Sequence, residues 1–355
     1  MARPGHRERV LRTIRGRDID RIPFFFRAEP PVKKRLKREF NLKTDMDLIS
    51  YFDADAIHIG VSYRKECLRQ SDEERTFYDI FGNKIRSVQY GDILTDTVVD
   101  PVLADVAEVD HIDRIKWPDS SFIDFYESKK QARAAHETGL AVYGGVWASI
   151  FTHSRAMMGE ENYLVSLVSN PDLISRLVER ITDCFLELNE AYLSECSRYI
   201  DIYYFGSDFG TQNSLFISRE MFCEFFKPHL KRLTAHAKGF GLPVMFHTCG
   251  AVSEIIPDLI ECGVDILDPV QVSAADMAPE NLARKFKEKI AFHGGISTQT
   301  TLPNESPEVV REEVIRTISA LGPLRYIVAP DQEMIGDIPT ENIEVMFETI
   351  RKHKI

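Results

Sequence analysis

The chain has 355 residues, of which 44% are hydrophobic, and a formal net charge of −11. This length allows a large buried core without disulfides or metal, and the acidic balance argues against a general nucleic-acid or anionic-membrane binder. The six cysteines include no Cys-x-x-Cys pair, and no apolar run approaches the roughly 20 residues of a membrane helix. We therefore expect a cytoplasmic protein with reduced thiols.

The first predicted element is a basic helix near the N-terminus. Val10, Leu11 and Ile14 have helical spacing, and we expect the arginines around them to form a solvated face. These arginines are Arg3, Arg7, Arg9, Arg12, Arg15 and Arg17.

Further along the chain, short strand-like runs alternate with longer segments of helical period, which is typical of a parallel α/β fold. Most runs are apolar on both faces, as expected for strands with helices outside and a packed interior. Helices are predicted between them, for example over Pro171–Arg198 and from Ser218 to Gly239. The pattern predicts one (β/α)₈ TIM-type barrel domain over residues 1–355. Its eight predicted strands are Ile22–Phe26, Ala56–Val61, Leu140–Gly145, Ile200–Phe205, Pro243–Thr248, Val264–Leu267, Ile290–His293 and Arg325–Ala329.

An insertion of about residues 76–136 interrupts this alternation after the second strand. The apolar residues of Phe77–Phe81, a turn at Gly82-Asn83 and the apolar residues that follow it predict a β-hairpin. The Asp- and Pro-containing stretch Asp100–Pro118 predicts an irregular loop and a short helix.

The strand ends carry the candidate chemistry, because the loops after barrel strands meet at one mouth. His247 and Cys249 lie two residues apart at the end of the fifth strand, so their side chains point the same way. Imidazole nitrogen and thiolate suit a borderline-soft ion such as Zn²⁺; a buried cysteine beside a hydrogen-bonded histidine is the alternative. A zinc site needs a third protein ligand, and the last strand is followed by Asp331, Gln332 and Glu333.

Other strand ends supply candidates for catalysis. Asp208 could be a general base, a residue that orients a ligand, or a helix cap. Arg27 and Glu29 alternate along the first strand end, where a mutual ion pair is the alternative to catalysis. The predicted catalytic residues are Asp208, Gln212, His293, Arg27 and Glu29.

Candidates for cofactor binding follow the sixth and seventh strands. Gly294 and Gly295 would let a ligand approach the backbone, or would form a tight turn. His58 is interpreted as a core or capping residue. The predicted cofactor-binding residues are Asp268, Gln271, Gly294 and Gly295.

Three segments, Phe246–Val252, Gly263–Gln271 and Phe292–Gln299, resemble uroporphyrinogen decarboxylase-like proteins. The start, with Asp20–Pro23, and the ending, Pro339–Ile343, resemble them too. The likeness spans essentially the whole chain and implies a barrel. Two kinds of enzyme occur in this superfamily: cofactor-free decarboxylases of a tetrapyrrole, and methyltransferases that work with corrinoid proteins and hold zinc through His-x-Cys and a later residue, usually cysteine.

The sequence departs from the decarboxylase pattern, since only Arg27 and Arg64 stand at the predicted rim to bind a polycarboxylate. It matches the methyltransferase pattern through His247 and Cys249, with Gln332 aligned at the third ligand position and Glu333 beside it.

The resemblance implies a zinc-assisted methyltransferase that moves a methyl group between a small substrate or thiol and a small corrinoid (cobalamin-carrying) protein. The alternatives are a cofactor-free decarboxylase of a tetrapyrrole or other acidic substrate, and a non-catalytic relative that binds a corrinoid or another ligand. A homodimer is expected by family analogy alone.

Overall fold

The computed structural model describes residues 4–69, 71, 73–90, 93–353 and 355, so Arg3 lies outside the described residues. Ten strands form within these ranges. They are β1 (Ala56–Ile59), β2 (Thr76–Tyr78), β3 (Lys84–Tyr90), β4 (Ile93–Asp100), β5 (Ala141–Gly144), β6 (Ile202–Gly206), β7 (Val244–His247), β8 (Ile266–Val270), β9 (Ala291–Ile296) and β10 (Tyr326–Pro330).

A parallel sheet of seven strands forms the centre of the molecule, in the order β1-β5-β6-β7-β8-β9-β10. Every residue of β5 to β10 is buried. Such burial requires cover on both faces, which helices and a packed interior provide. The predicted parallel α/β architecture of TIM type is confirmed.

The predicted first strand, Ile22–Phe26, forms only an isolated parallel bridge, between Phe24 and Val328 of β10. On its other side, the backbone N–H of Asp55 donates to the Phe24 carbonyl at 2.9 Å. Pro23 has no N–H to extend the ladder, which accounts for the short pairing. The prediction of a regular eighth strand is therefore wrong. The segment nevertheless lies between the two edge strands of the sheet, β1 and β10, and is hydrogen-bonded to β10 and to Asp55 next to β1.

Helices surround the sheet, and none in the described part of the chain combines the length and apolar character needed to cross a bilayer. The segment predicted as one helix from Ser218 to Gly239 is two helices, because Pro228 cannot donate the backbone hydrogen bond that would continue the first. The helices are α1 (His6–Ile14), α2 (Pro30–Glu39), α3 (Asp45–Phe52), α4 (Val109–Arg114), α5 (Phe125–Glu137), α6 (Ile150–Met158), α7 (Glu160–Ser169), α8 (Pro171–Cys196), α9 (Arg219–Phe225), α10 (Lys227–Gly239), α11 (Ile256–Cys262), α12 (Pro279–Phe286), α13 (Thr301–Asn304), α14 (Pro307–Leu321) and α15 (Thr340–Lys352).

The chain between β1 and β5 contains the predicted hairpin. β2 pairs antiparallel with β3, and β3 pairs in turn with β4, so that the hairpin is extended to three strands. Asp79 closes the first turn by accepting hydrogen bonds from the backbone N–H groups of Phe81 and Asn83, each at 2.9 Å. After α4, the helix α5 packs against β1 and β5.

Helix α1 closes the interior of the sheet at the amino ends of the strands. Val10 and Ile14 belong to a small core that is separate from the larger core between sheet and helices. Its other buried members are the inward residues Phe25, Ala56, Ala141, Tyr143, Ile202, Tyr204, Met245, Ile266, Ala291, Ile327 and Ala329. The mouth at the carboxyl ends of the strands lies at the opposite end of this core.

The expectation of a fully solvated arginine face on α1 is wrong for Arg9, which is buried. Its guanidinium donates to Asp55 at 2.6 Å and to Asp20 at 2.7 Å. Arg21 donates to the second oxygen of Asp55 at 2.7 Å. Asp55 is fully buried, and a buried carboxylate is tolerated only with such partners.

Candidate functional site

The predicted His247–Cys249 pair comes together at the carboxyl end of β7. His247 is the last residue of that strand, and its Nε2 lies 3.2 Å from Sγ of Cys249. Burial lowers the pKa of His247, but the neighbouring Cys249 sulfur and Asp268 outweigh it and raise this pKa to about 10. A cation that binds at Nε2 therefore has to displace a proton from His247.

Asp208 supplies a third possible donor beside this pair. Its Oδ1 lies 3.5 Å from Nε2 of His247 and accepts a hydrogen bond from the Cys249 backbone N–H at 3.1 Å. The three donor atoms all lie within 4.8 Å of one another. The sequence suggested Asp208 as a general base, an orienting residue or a helix cap. In the structure it is a candidate metal ligand.

A close backbone contact between the loops after β6 and β7 brings Asp208 to Cys249. Gly250 has a φ of +84°, and a Cβ atom there would lie 2.5 Å from the carbonyl oxygen of Thr211. A Cβ at Gly210 would lie 2.4 Å from the Cys249 carbonyl oxygen. Glycine is needed at both positions for the loops to approach this closely.

Asp268, predicted as a cofactor-binding residue, is a fully buried acceptor for four side chains. Burial raises its pKa, but Arg27, His293 and His247 outweigh burial and hold the pKa of Asp268 well below its usual range. The ionised carboxylate accepts from the Nδ1–H of His247 and so leaves Nε2 to face Cys249 and Asp208. The four donor–acceptor distances are 2.9 Å from Arg27 Nη1, 2.7 Å from His247 Nδ1, 2.5 Å from His293 Nδ1 and 2.8 Å from the Tyr204 hydroxyl.

The two residues predicted as third ligands take different positions. Gln332 lies beside the donor set, with Nε2 2.9 Å from Sγ of Cys249. Glu333 instead accepts a hydrogen bond from Nε of Arg27 at 3.0 Å. Asp331 is buried and accepts from the Thr298 backbone and hydroxyl, each at 2.8 Å, and burial raises its pKa to about 6.

Other predicted site residues lie around this centre or away from it. Gln271 accepts from the Gly250 backbone N–H at 2.7 Å and lies 3.4 Å from Gln212, which is exposed at the mouth. Glu29 is exposed and precedes α2. Arg27 pairs instead with Asp268 and Glu333, so the alternative of an Arg27–Glu29 ion pair is wrong.

The two predicted glycines of β9 lie against protein atoms. A Cβ at Gly294 would lie 3.1 Å from the Val270 nitrogen, and one at Gly295 would lie 2.9 Å from the Tyr326 hydroxyl oxygen. The described contacts therefore give both glycines a role in strand packing and do not bring them to the donor set.

A cavity of about 490 Å³ opens beside the donor set, and His247 and Gln332 belong to its wall. His58, which the sequence indicated as a core or capping residue, lines the cavity together with Trp147 and Tyr204, to which the sequence assigned no role. The available signal for Tyr204 was that it shares a strand face with Asp208. The full lining is Phe26, Arg27, Ala28, Lys33, Asp45, Met46, Ile49, Ala56, Ile57, His58, Tyr143, Trp147, Tyr204, His247, Gln332 and Glu333.

The chain matches the model of a known family, and its fold is similar to solved structures. The model of the family described as uroporphyrinogen decarboxylase (URO-D) matches residues 85–353. The solved structure of a methyltransferase from Methanosarcina mazei is similar with a TM-score of 0.73 and 13% identity, covering 98% of each chain. At that identity the likeness shows the fold alone.

A second solved structure is similar to a lower degree. The B12-independent methionine synthase from Shewanella sp. W3-18-1 has a TM-score of 0.48 at 13% identity over 94% of each chain, and this weaker likeness carries no argument. Comparison with the sequences of curated proteins gives no significant match.

Proposed function

The chain belongs to the uroporphyrinogen decarboxylase family, whose model matches residues 85–353, and we propose that within this family it is a zinc-assisted methyltransferase. The observation that carries the proposal is the set of nitrogen, sulfur and oxygen donors on His247, Cys249 and Asp208 at the edge of a cavity. The fold shared with a solved methyltransferase is consistent with it.

The donor set fits a zinc ion in both chemistry and spacing. Tetrahedral zinc with its usual bond lengths places neighbouring nitrogen, oxygen and sulfur donors about 3.5 Å apart. The distances from His247 Nε2 to Cys249 Sγ and to Asp208 Oδ1 are 3.2 Å and 3.5 Å. Three protein ligands leave the fourth position open, as in catalytic zinc sites.

Each residue then has a defined task. His247, Cys249 and Asp208 would hold a zinc ion, and Asp268 fixes the tautomer of His247. Gln332 donates an N–H to Cys249 Sγ and so withdraws charge from that ligand. Bound zinc supplies Lewis acidity, which lowers the pKa of a bound thiol or polarises a leaving heteroatom.

The methyl group leaves its donor atom as a formal cation, the donor atom keeps the bonding electron pair, and a nucleophile forms the new bond. We propose that a small corrinoid protein is the partner in this exchange. The contribution of this chain is to hold the small substrate in the cavity, beside His247 and Gln332.

The charge of the cavity favours this proposal over a tetrapyrrole decarboxylase. Arg27 is paired with Asp268 and Glu333, and Lys33 lies 3.8 Å from Asp45. A polycarboxylated substrate requires several cations that are free to bind it.

The first experiment is metal analysis of the purified protein by plasma mass spectrometry. We expect about one zinc per chain for the wild type, since one site has three protein ligands, and loss of that zinc in Cys249→Ala. Cys67→Ala is the matched control, because Cys67 is also a partly exposed free cysteine but is not part of the donor set. This variant should retain the metal. Absence of metal from the wild type would refute the zinc mechanism.

The second experiment follows the absorbance of methylcobalamin in the presence of a thiol. The wild type should demethylate it and Cys249→Ala should not. Turnover of an acidic substrate in the presence of a chelator would instead support a decarboxylase. Cobalamin binding without methyl transfer by metal-free protein would support a non-catalytic relative.

A further inference from the structure

The charged residues of the cavity wall have partners of opposite charge. Arg27 and Lys33 are its arginine and lysine side chains, and Glu333 and Asp45 are its carboxylates. Asp45 lies 3.8 Å from Lys33 and also accepts from Lys37, which is outside the wall, at 2.6 Å.

His247, which also belongs to the wall, donates from Nδ1 to the buried carboxylate of Asp268 at 2.7 Å. Arg27 Nε donates to Glu333 at 3.0 Å and its Nη1 donates to Asp268 at 2.9 Å, so two carboxylates surround one guanidinium. The wall therefore presents no excess positive charge to a ligand.

Apart from Gln332, the rest of the wall is apolar or aromatic. The rings of Tyr143, Tyr204 and Trp147 follow one another, with centroids 5.4 Å and 5.2 Å apart, and His58 lies 5.1 Å from Tyr143. Burial, and after it Arg27, lowers the pKa of His58 to about 4, so this imidazole adds no charge at neutral pH. A surface of this kind binds flat, apolar ligands.

Arg27 offers a polar anchor in this wall. Among the described residues, Nη2 of Arg27 has no hydrogen-bond partner, although Nε and Nη1 are both engaged. A neutral acceptor on the ligand, such as an ether, carbonyl or amide oxygen, can bind there without an added negative charge beside Glu333 and Asp268.

We propose that the cavity binds an uncharged, largely apolar methyl carrier with one oxygen acceptor, and that Glu333 determines this specificity by neutralising Arg27. The inference rests on the proposed function only in that the ligand carries a methyl group. The preference for an uncharged ligand rests on the cavity alone. Glu333 acts through Arg27 and is in this sense a specificity residue.

Three molecules of nearly the same shape test the charge preference: benzamide, benzoate and benzamidine, which are neutral, anionic and cationic. Their affinities are measured by isothermal titration calorimetry on the wild-type protein as purified. We expect benzamide to bind at least about tenfold more tightly than benzoate. The carboxylate of benzoate either displaces a charge-assisted hydrogen bond of Arg27 or is repelled by its carboxylate partners, and either effect lowers the affinity by about this factor. Benzamidine should also bind more weakly than benzamide.

Glu333→Gln removes the carboxylate from Arg27 and keeps the shape of the side chain. It should improve the affinity for benzoate by about tenfold and change that for benzamide by less than about threefold. Glu137→Gln is the matched control, since Glu137 accepts from Nε of Arg133 at 2.8 Å on the exposed surface of α5. This control should leave all three affinities unchanged.

Asp45→Asn is a second variant, at an exposed carboxylate beside Lys33, and should shift the affinity for benzoate in the same direction by a smaller factor. Equal affinities of the wild type for benzamide and benzoate would overturn the proposal. The proposal would also be overturned if both variants kept the same order of the three affinities as the wild type, or if none of the three molecules bound.

Repeating the titrations after metal removal separates this inference from the proposed function. Benzoate that binds through a metal ion is lost on chelation, whereas an effect of Glu333 on Arg27 remains. Protein that contains no metal as purified but shows the charge preference would refute the zinc mechanism and support the cavity inference.

Discussion

At the scale of single residues, Asp268 connects the candidate metal centre with the cavity. Its carboxylate accepts from His247 on the metal side and from Arg27 on the cavity side. Because the pKa of Asp268 is held well below its usual range, it stays ionised and fixes both donors. One buried carboxylate thus positions the proposed metal ligand His247 and the proposed substrate anchor Arg27.

We expect Asp268→Asn to weaken zinc binding by about 10- to 100-fold, the usual effect of losing the carboxylate behind a ligating histidine. Tyr204→Phe removes one hydrogen bond to Asp268 and leaves the bond to His247, so its effect on affinity should be several times smaller. Affinity is measured by competition with a chromophoric chelator, and thermal unfolding shows whether each variant is folded. Equal zinc affinity of wild type and Asp268→Asn would contradict the assignment.

Gly250→Ala should destabilise the protein by more than about 1 kcal/mol, because alanine is strained at positive φ and its Cβ would collide with Thr211. Gly239→Ala is the control, since a Cβ at that position in α10 meets no atom within 4 Å. Alanine there should leave stability unchanged or raise it by up to about 1 kcal/mol. Denaturant unfolding measures both, and equal effects would show that the contact between the loops is not needed.

At the scale of elements, buried ion pairs attach helices to their neighbours. On α1, Arg9 is buried and pairs with Asp20 and Asp55, whereas Arg12 pairs with Glu8 at the surface. Breaking a buried pair leaves a charge without compensation, which costs far more than loss of a surface pair.

Arg9→Met should therefore lower the free energy of unfolding by about 3 kcal/mol. Arg12→Met, one helical turn later on α1, should change it by less than about 1 kcal/mol. Urea unfolding followed by circular dichroism provides the comparison. A similar small effect of both substitutions would mean that Arg21 and His6 are sufficient to compensate Asp55.

A second buried carboxylate, Asp258 of α11, predicts a dependence of stability on pH. Burial raises its pKa, but Arg219 and Lys227 outweigh burial, and the pKa of Asp258 is lowered in the folded protein. Because the folded-state pKa lies below the unfolded one, this stabilisation is complete above the unfolded value of about 4 and is lost as pH falls below it. Melting temperatures of wild type and Asp258→Asn should differ most near neutral pH and converge in acid; a constant difference would contradict this.

At the scale of the whole molecule, the sequence alone was sufficient for the architecture and for part of the site. Apolar strands separated by helical segments predicted the parallel sheet, and the spacing of His247 and Cys249 predicted that their side chains meet. Both inferences depend on local periodicity, which sequence displays directly.

Contacts between distant strand ends could not be predicted in this way. Glu333 was predicted as a metal ligand, yet in the structure its side chain accepts from Arg27, and the pairing of Arg9 with Asp55 depends on how α1 closes the sheet interior. Pro23 was visible in the sequence, but its effect on the eighth strand depends on the pairing partner. The third donor, Asp208, required the contact between the loops at Gly210 and Gly250.

The cavity wall combines residues from inside and outside the range that the family model matches. The family model begins at residue 85, and all three candidate metal donors follow that point. Ten of the 16 residues that line the cavity precede it. A chimera that exchanged the first 84 residues for those of a relative would therefore keep the three candidate metal donors and exchange ten of the 16 residues around the cavity, so that the proposed selectivity could be varied while the donor set is kept.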